Sequence, residues 1–131
     1  MEIHDFSYEH NGSVVRWDVK DIWKAVENSK VINVNIDDFK KLTDKVFRDY
    51  DKSDKDRVKD ADLSYPIIIS KDHKLIIDGY HRLFKHMLLG HKLVPCKVID
   101  KMPKPIYCSG TPFKIPGLKF DWVNSKNHPL S

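Results

Sequence analysis

The run Asp78-Gly79-Tyr80-His81-Arg82 places a carboxylate, a glycine, an imidazole and a guanidinium side by side. An isoleucine-rich stretch, Leu75-Ile76-Ile77, precedes it, and Leu83, Phe84, Met87 and Leu88 follow at helical spacing, so the run reads as a strand–turn–helix corner. Such a corner suits an anion. Glycine lets the backbone approach closely, the first N–H groups of the helix point outward, and the macrodipole adds partial positive charge at the same place. Arg82 supplies a planar fork that matches two phosphate oxygens. His81 can donate a hydrogen bond or move a proton near neutral pH. Asp78, at the strand's carboxyl end, can orient a hydroxyl or hold Mg²⁺ through water. Taken singly, each residue has an ordinary structural reading: a turn, a surface histidine, an arginine paired with an acid. Their coincidence on one corner makes the case for phosphate.

Other chemistries have less to stand on. His81, His86 and His91 are spaced by five, so on one continuous helix successive rings would point ~140° apart. No His-Glu-x-x-His or paired Cys-x-x-Cys motif is present, and no metal site is expected from protein ligands. The two cysteines, Cys96 and Cys108, make no disulfide framework; they are expected as reduced thiols, with Cys96 packed in a strand.

The elements that must hold the corner can be read from periodicity. Asn11-Gly12 between Phe6–Glu9 and Val14–Trp17 is a hairpin signal, because a type I′ turn needs positive φ at both central residues. The glycosylation-like Asn11-Gly12-Ser13 is read as that turn. Asp18 should cap a short helix to about Ser29 through Val19, Ile22, Trp23 and Val26. Ile32, Val34 and Ile36 alternate like a half-buried strand. Asp37 or Asp38 should cap a helix with Phe39, Leu42, Val46, Phe47 and Tyr50 on its apolar face, and Asp51–Asp60 should be a linker or frayed helix end. Pro66-Ile67-Ile68-Ile69 and Leu75-Ile76-Ile77 read as adjacent strands joined by a polar turn. Gly90 fits the position just past a helix end, and Leu93–Ile99 is the last clear strand. The prolines at 103, 105, 112 and 116 predict an extended tail, which Phe120 and Trp122 can pin to the body.

A chain of 131 residues suits one domain. At 40% hydrophobic and 32% charged residues it is too apolar for disorder and too polar for a membrane protein. Met1-Glu2-Ile3-His4-Asp5 lacks the basic start and apolar stretch of a signal peptide, so a cytoplasmic protein is expected. The net charge is +4; Lys101–Ser131 alone carries five lysines against Asp121. That excess is modest for a dedicated nucleic-acid binder.

The sequence also resembles the ParB N-terminal/sulfiredoxin superfamily. The likeness is carried by Pro66-Ile67-Ile68-Ile69, Ile77-Asp78-Gly79-Tyr80-His81-Arg82, Leu88-Leu89-Gly90 and Val94-Pro95-Cys96-Lys97-Val98, covering Ala61–Ile99 well and Val31–Ile99 loosely. It implies an α/β domain over residues 1–100, a small mixed sheet with flanking helices, and a Pro/Lys-rich extension over 101–131 packed on it or trailing from it. Where sulfiredoxins carry a catalytic cysteine, Tyr80 stands here, so sulfinic acid repair is not implied. The helix-turn-helix domain of partition proteins is not expected within these residues. The loop is most similar to that of the free serine kinases. That likeness implies that Gly79, Tyr80, His81 and Arg82 hold the phosphates of a nucleotide, ATP/ADP or CTP, with Mg²⁺. Asp78 and His81 would assist transfer to a small hydroxyl substrate. The kinases' upstream glutamate has no counterpart that aligns; Asp44 is the nearest acid.

The expectation is therefore a nucleotide-binding protein acting as a phosphotransferase or nucleotide hydrolase. The rival readings are a DNA-binding or nicking protein that sets the same corner on a DNA phosphate, helped by Lys101, Lys104, Lys114 and Lys119, and an interaction module without chemistry.

Overall fold

The computed structural model describes residues 5–39 and 54–123, with side chains from Arg57 onward in the second stretch. In chain order come β1 (Asp5–His10), β2 (Ser13–Asp18), α1 (Val19–Ala25), β3 (Ile32–Asn35) and a 3₁₀ turn (Ile36–Phe39). Then follow α2 (Asp54–Lys59), β4 (Ile67–Ser70), β5 (Ile76–Asp78), α3 (Tyr80–Leu88), β6 (Leu93–Ile99) and β7 (Tyr107–Ser109). This is a mixed α/β fold with two sheets, ordered β1-β2-β7 and β3-β6-β4-β5, and a few helices. Contacts group the described residues into two units, 5–28 with 99–123 and 29–39 with 54–98.

In the first unit the hairpin forms as its turn chemistry demands: Asn11 and Gly12 both take positive φ, 50° and 83°. Strand β2 alternates, burying Ser13, Val15 and Trp17 while Arg16 stays exposed. Asp18 caps α1 by accepting the Lys20 N–H at 2.8 Å. The helix stops at Ala25, earlier than the apolar spacing predicts, and Val26 is its buried end. The proline-rich segment is more than a tail. Its Tyr107–Ser109 pairs antiparallel with β2, Val14 against Ser109 and Arg16 against Tyr107. The prolines at 103, 105, 112 and 116 flank this strand without interrupting it, so its ladder N–H groups survive. Trp17 is the centre of this unit: Phe6 stacks on it at 5.7 Å, Phe120 meets it edge-on at 5.1 Å, and its Nε1–H donates to the Pro103 carbonyl at 2.8 Å.

The second unit is built on Ile67, Ile69, Ile76, Leu83, Val94, Cys96, Val34 and Phe39. All four residues of β4 are buried, which explains an unbroken apolar run in place of alternation. Strand β3 pairs antiparallel with β6, and the residue after it begins the 3₁₀ turn that buries Phe39. Leu42, Asp44, Val46, Phe47 and Tyr50, the remainder of the helix expected there, lie outside the described residues. Within 51–60, read as linker or frayed end, residues 54–59 are helical as α2, and the stretch's one apolar residue, Val58, is buried.

Helix α3 buries Leu83, Phe84 and His86, while Leu88 is 63% exposed. At ~100° per residue His86, Leu83, Met87 and Phe84 span one ~160° arc, and Leu88 falls just outside it. Gly90, at φ 74°, ends the helix as expected. The five-residue histidine spacing therefore does not separate all three rings. Beyond the helix end the chain turns back, and His91 lies against His86 with Nδ1 to Nδ1 at 2.9 Å.

Candidate functional site

The corner begins in the ladder. Ile68 pairs with Asp78 and Ile69 with Ile76, so Ile77 is an extra residue on β5, a bulge directly before the carboxylate. A bulge re-aims the residues that follow it, and here Ile76 and Ile77 are both buried while Asp78 stays partly open. Gly79 then adopts φ 115° and ψ 25° and starts α3 with no side-chain cap. A Cβ at this position would lie 3.0 Å from Ile67 Cγ1 and 3.0 Å from Arg82 Nη2. Glycine is thus required twice, for the backbone angle and for the space into which Arg82 folds.

Arg82, one turn into α3, reaches back over the loop. Its Nη2 donates to the Asp78 carboxylate at 3.1 Å and to the Pro66 carbonyl at 3.4 Å. The two side chains are 18% and 27% exposed, so the pair is partly desolvated rather than a surface contact. His81 is half-buried between Arg82 and Tyr80, and Tyr80 is exposed although local burial pushes its phenol pKa up. The first turn of α3 carries no acid of its own. Of the residues expected to act here, Asp78, Gly79, Tyr80, His81 and Arg82 are contiguous on this corner, with Asp78, Gly79 and Arg82 in direct contact. Asp44 lies outside the described residues.

Sequence reading missed four participants. The Pro66 carbonyl holds the guanidinium and Ile67 packs beneath Gly79. Lys85 Nζ donates to the carbonyls of Lys59 and Ala61 at 2.7 and 2.8 Å, tying α3 to the end of α2, where carbonyls lack helical partners. Asp62 accepts from Ser64 N at 2.9 Å and Ser64 Oγ at 2.6 Å. Those hydrogen bonds hold its carboxyl below the usual range, aided by the Lys85 and Arg82 charges. Only Asp62 left a sequence signal, the Asp-x-Ser spacing of an Asx turn.

Chemically the corner is a cation-rich helix start whose strongest donor is engaged by its own carboxylate. The thiols are set aside as nucleophiles. Burial pushes Cys96 up to about 12 and also raises Cys108. Among the described residues there is no group of three or more His, Cys, Asp or Glu side chains placed to hold a metal ion. No helix among the described residues is long and apolar enough to cross a membrane. No family model, curated protein or solved structure matches the chain.

Proposed function

We propose that the chain is a nucleotide-phosphate-binding protein of the ParB/sulfiredoxin type, with phosphates seated on Gly79, Tyr80, His81 and Arg82. One observation carries the reading: at a helix start, a left-handed glycine leaves room for a guanidinium folded over the loop. An incoming phosphate takes the place of the Asp78 carboxylate on Arg82, exchanging one charge-assisted pair for another. At the same place phosphate meets the His81 imidazole and the positive end of α3. Asp78, once released, is free to accept a hydrogen bond from a hydroxyl substrate or to hold Mg²⁺ through water. Mg²⁺ bound with the nucleotide would offset phosphate charge. In a kinase-like transfer the hydroxyl oxygen attacks the terminal phosphorus, the bond to the departing diphosphate breaks, and the hydroxyl proton leaves to a carboxylate. Positioning and electrostatics supply most of the rate in such chemistry.

The test is a thermal-shift and calorimetric screen of ATP, ADP and CTP, with and without Mg²⁺. A nucleotide at 100 times its Kd should stabilise the fold by ~2.7 kcal/mol. His81→Ala should reduce that shift. Absence of any shift with all three nucleotides overturns the reading.

A further inference from the structure

We propose that the unit formed by residues 5–28 and 99–123 carries a second, separate site, a cleft for single-stranded nucleic acid. After β6 the chain runs out through Lys101-Met102-Pro103-Lys104 and comes back beside itself through Lys119-Phe120-Asp121-Trp122. The two segments lie parallel, bridged at Lys101 and Lys119; Met102 N–H donates to the Lys119 carbonyl and Lys119 N–H to the Asp100 carbonyl, both at 2.8 Å. Between them opens a cavity of about 510 Å³ lined by Lys101, Met102, Pro103, Lys104, Asp121 and Trp122. A neighbouring cavity of about 410 Å³ shares Pro103 and Lys104 and adds Lys24, Ala25 and Asp21. Lys104 therefore stands where the two meet.

The lining has the two parts that a base and its phosphate need. The apolar part is packed in place: Met102 is buried, Trp122 is half-buried and met edge-on by Phe113 at 5.4 Å, and the next N–H, of Val123, donates to Cys108 Sγ at 3.4 Å. A braced, half-buried indole in a lining that also holds half-buried Pro103 offers a flat surface to a stacked ring. The charged part is Lys24, Lys101 and Lys104, all exposed, against Asp21 and Asp121. Among the described residues Lys101 and Lys104 form no ion pair, whereas Lys119 is drawn to Asp100 at 3.5 Å. The lining sets a flat surface beside point cations, and this favours a strand of bases and phosphates over an acidic peptide, which has no regular use for the flat surface. A duplex hides its base faces and does not fit the same lining.

The probe is a fluorescein-labelled oligothymidylate, read by anisotropy across salt on the full chain. Binding is expected, with a log–log salt slope that falls by ~0.7 for each lysine removed in Lys101→Gln and Lys104→Gln. Both lysines are exposed, so these variants fold. Trp122→Leu is expected to weaken binding by roughly 5- to 150-fold, and Trp122→Phe by much less, because a ring remains. No binding at low salt overturns the proposal. So does a salt slope that the lysine variants leave unchanged, or duplex DNA binding as tightly as the single strand. Displacement by thymidine monophosphate at the same nucleotide concentration would assign the cleft to a free nucleotide and overturn the strand.

Discussion

Gly79→Ala is the substitution that most sharply tests the account of the corner. The φ of 115° lies well outside the left-handed basin that alanine can use, and holding a non-glycine residue in such a region costs about 1–3 kcal/mol. The new methyl would also sit 3.0 Å from Ile67 Cγ1, on a side chain with no exposed surface, and 3.0 Å from Arg82 Nη2. Carbon contacts relax at ~3.5–4.0 Å, so β4 or α3 must give, and overpacking of this kind costs about 1–3 kcal/mol. Together the loss should be about 3 kcal/mol, or roughly 10 °C in Tm for a chain of this size. Urea unfolding should be followed by far-UV circular dichroism. The three tryptophans, Trp17, Trp23 and Trp122, all lie in the other unit, so their fluorescence does not report directly on the corner. Arg82→Ala removes the guanidinium contact but also the bonds to Asp78 and Pro66, so in the Arg82→Ala background the further cost of Gly79→Ala should be slightly smaller than in the parent. A Gly79→Ala protein within about 0.5 kcal/mol of the parent, at unchanged denaturant slope, would mean that neither the backbone angle nor the space at Gly79 constrains the loop.

Further outcomes follow from the buried groups. Burial foremost, then the charges of His91 and Arg82, depresses the His86 pKa, so below ~6.5 the unfolded chain takes up a proton that the folded state resists. The contribution is full above ~6.5 and is lost as pH falls towards the depressed value. The dichroism-monitored urea midpoint should fall over that range and His86→Gln should flatten the fall; a wild-type midpoint constant from pH 7 to 5 would contradict this. Trp17→Phe strands the Pro103 carbonyl and opens a void in the first core, so it should cost about 2–3 kcal/mol by fluorescence-monitored unfolding; a cost under 0.5 would remove Trp17 from the centre of that core. With both thiols buried and raised, Ellman's reagent at pH 8 should label them in urea and only slowly in the native protein. Rapid native labelling would show that neither is enclosed as described.

Local signals were legible wherever one residue type has one physical use. Asn11-Gly12 had to take positive φ, Asp18 had to cap, Gly90 had to end α3, and the mixed α/β character followed from the switch of period after Gly79. What could not be read depended on partners distant in sequence. No pattern in Tyr107-Cys108-Ser109 announces that it completes a sheet with residues 13–18, because a three-residue strand has no measurable period and its neighbouring prolines argue the other way. At the corner, sequence supplied the chemistry of Asp78, His81 and Arg82 and offered an arginine–acid pair, but did not say which acid. The engagement of Arg82 by Asp78 depends on a bulge at Ile77 and on the space above Ile67, which are tertiary facts. The meeting of His86 with His91 was hidden likewise, since a helical wheel says nothing once the helix has ended.

The first sheet joins strands drawn from opposite ends of the chain, with Val14 facing Ser109. On a ribosome adding ~5–20 residues per second, the hairpin would emerge and then wait roughly 5–20 s for its third member. The intervening residues 29–98, of which 29–39 and 54–98 group among themselves, would be fully synthesised before that partner arrives. During that interval β2 presents an open edge bearing Val15 and Trp17, the kind of surface that recruits a neighbouring nascent chain. Yield in a cell should therefore depend on translation speed and on chaperone supply more than the size of the finished protein would imply.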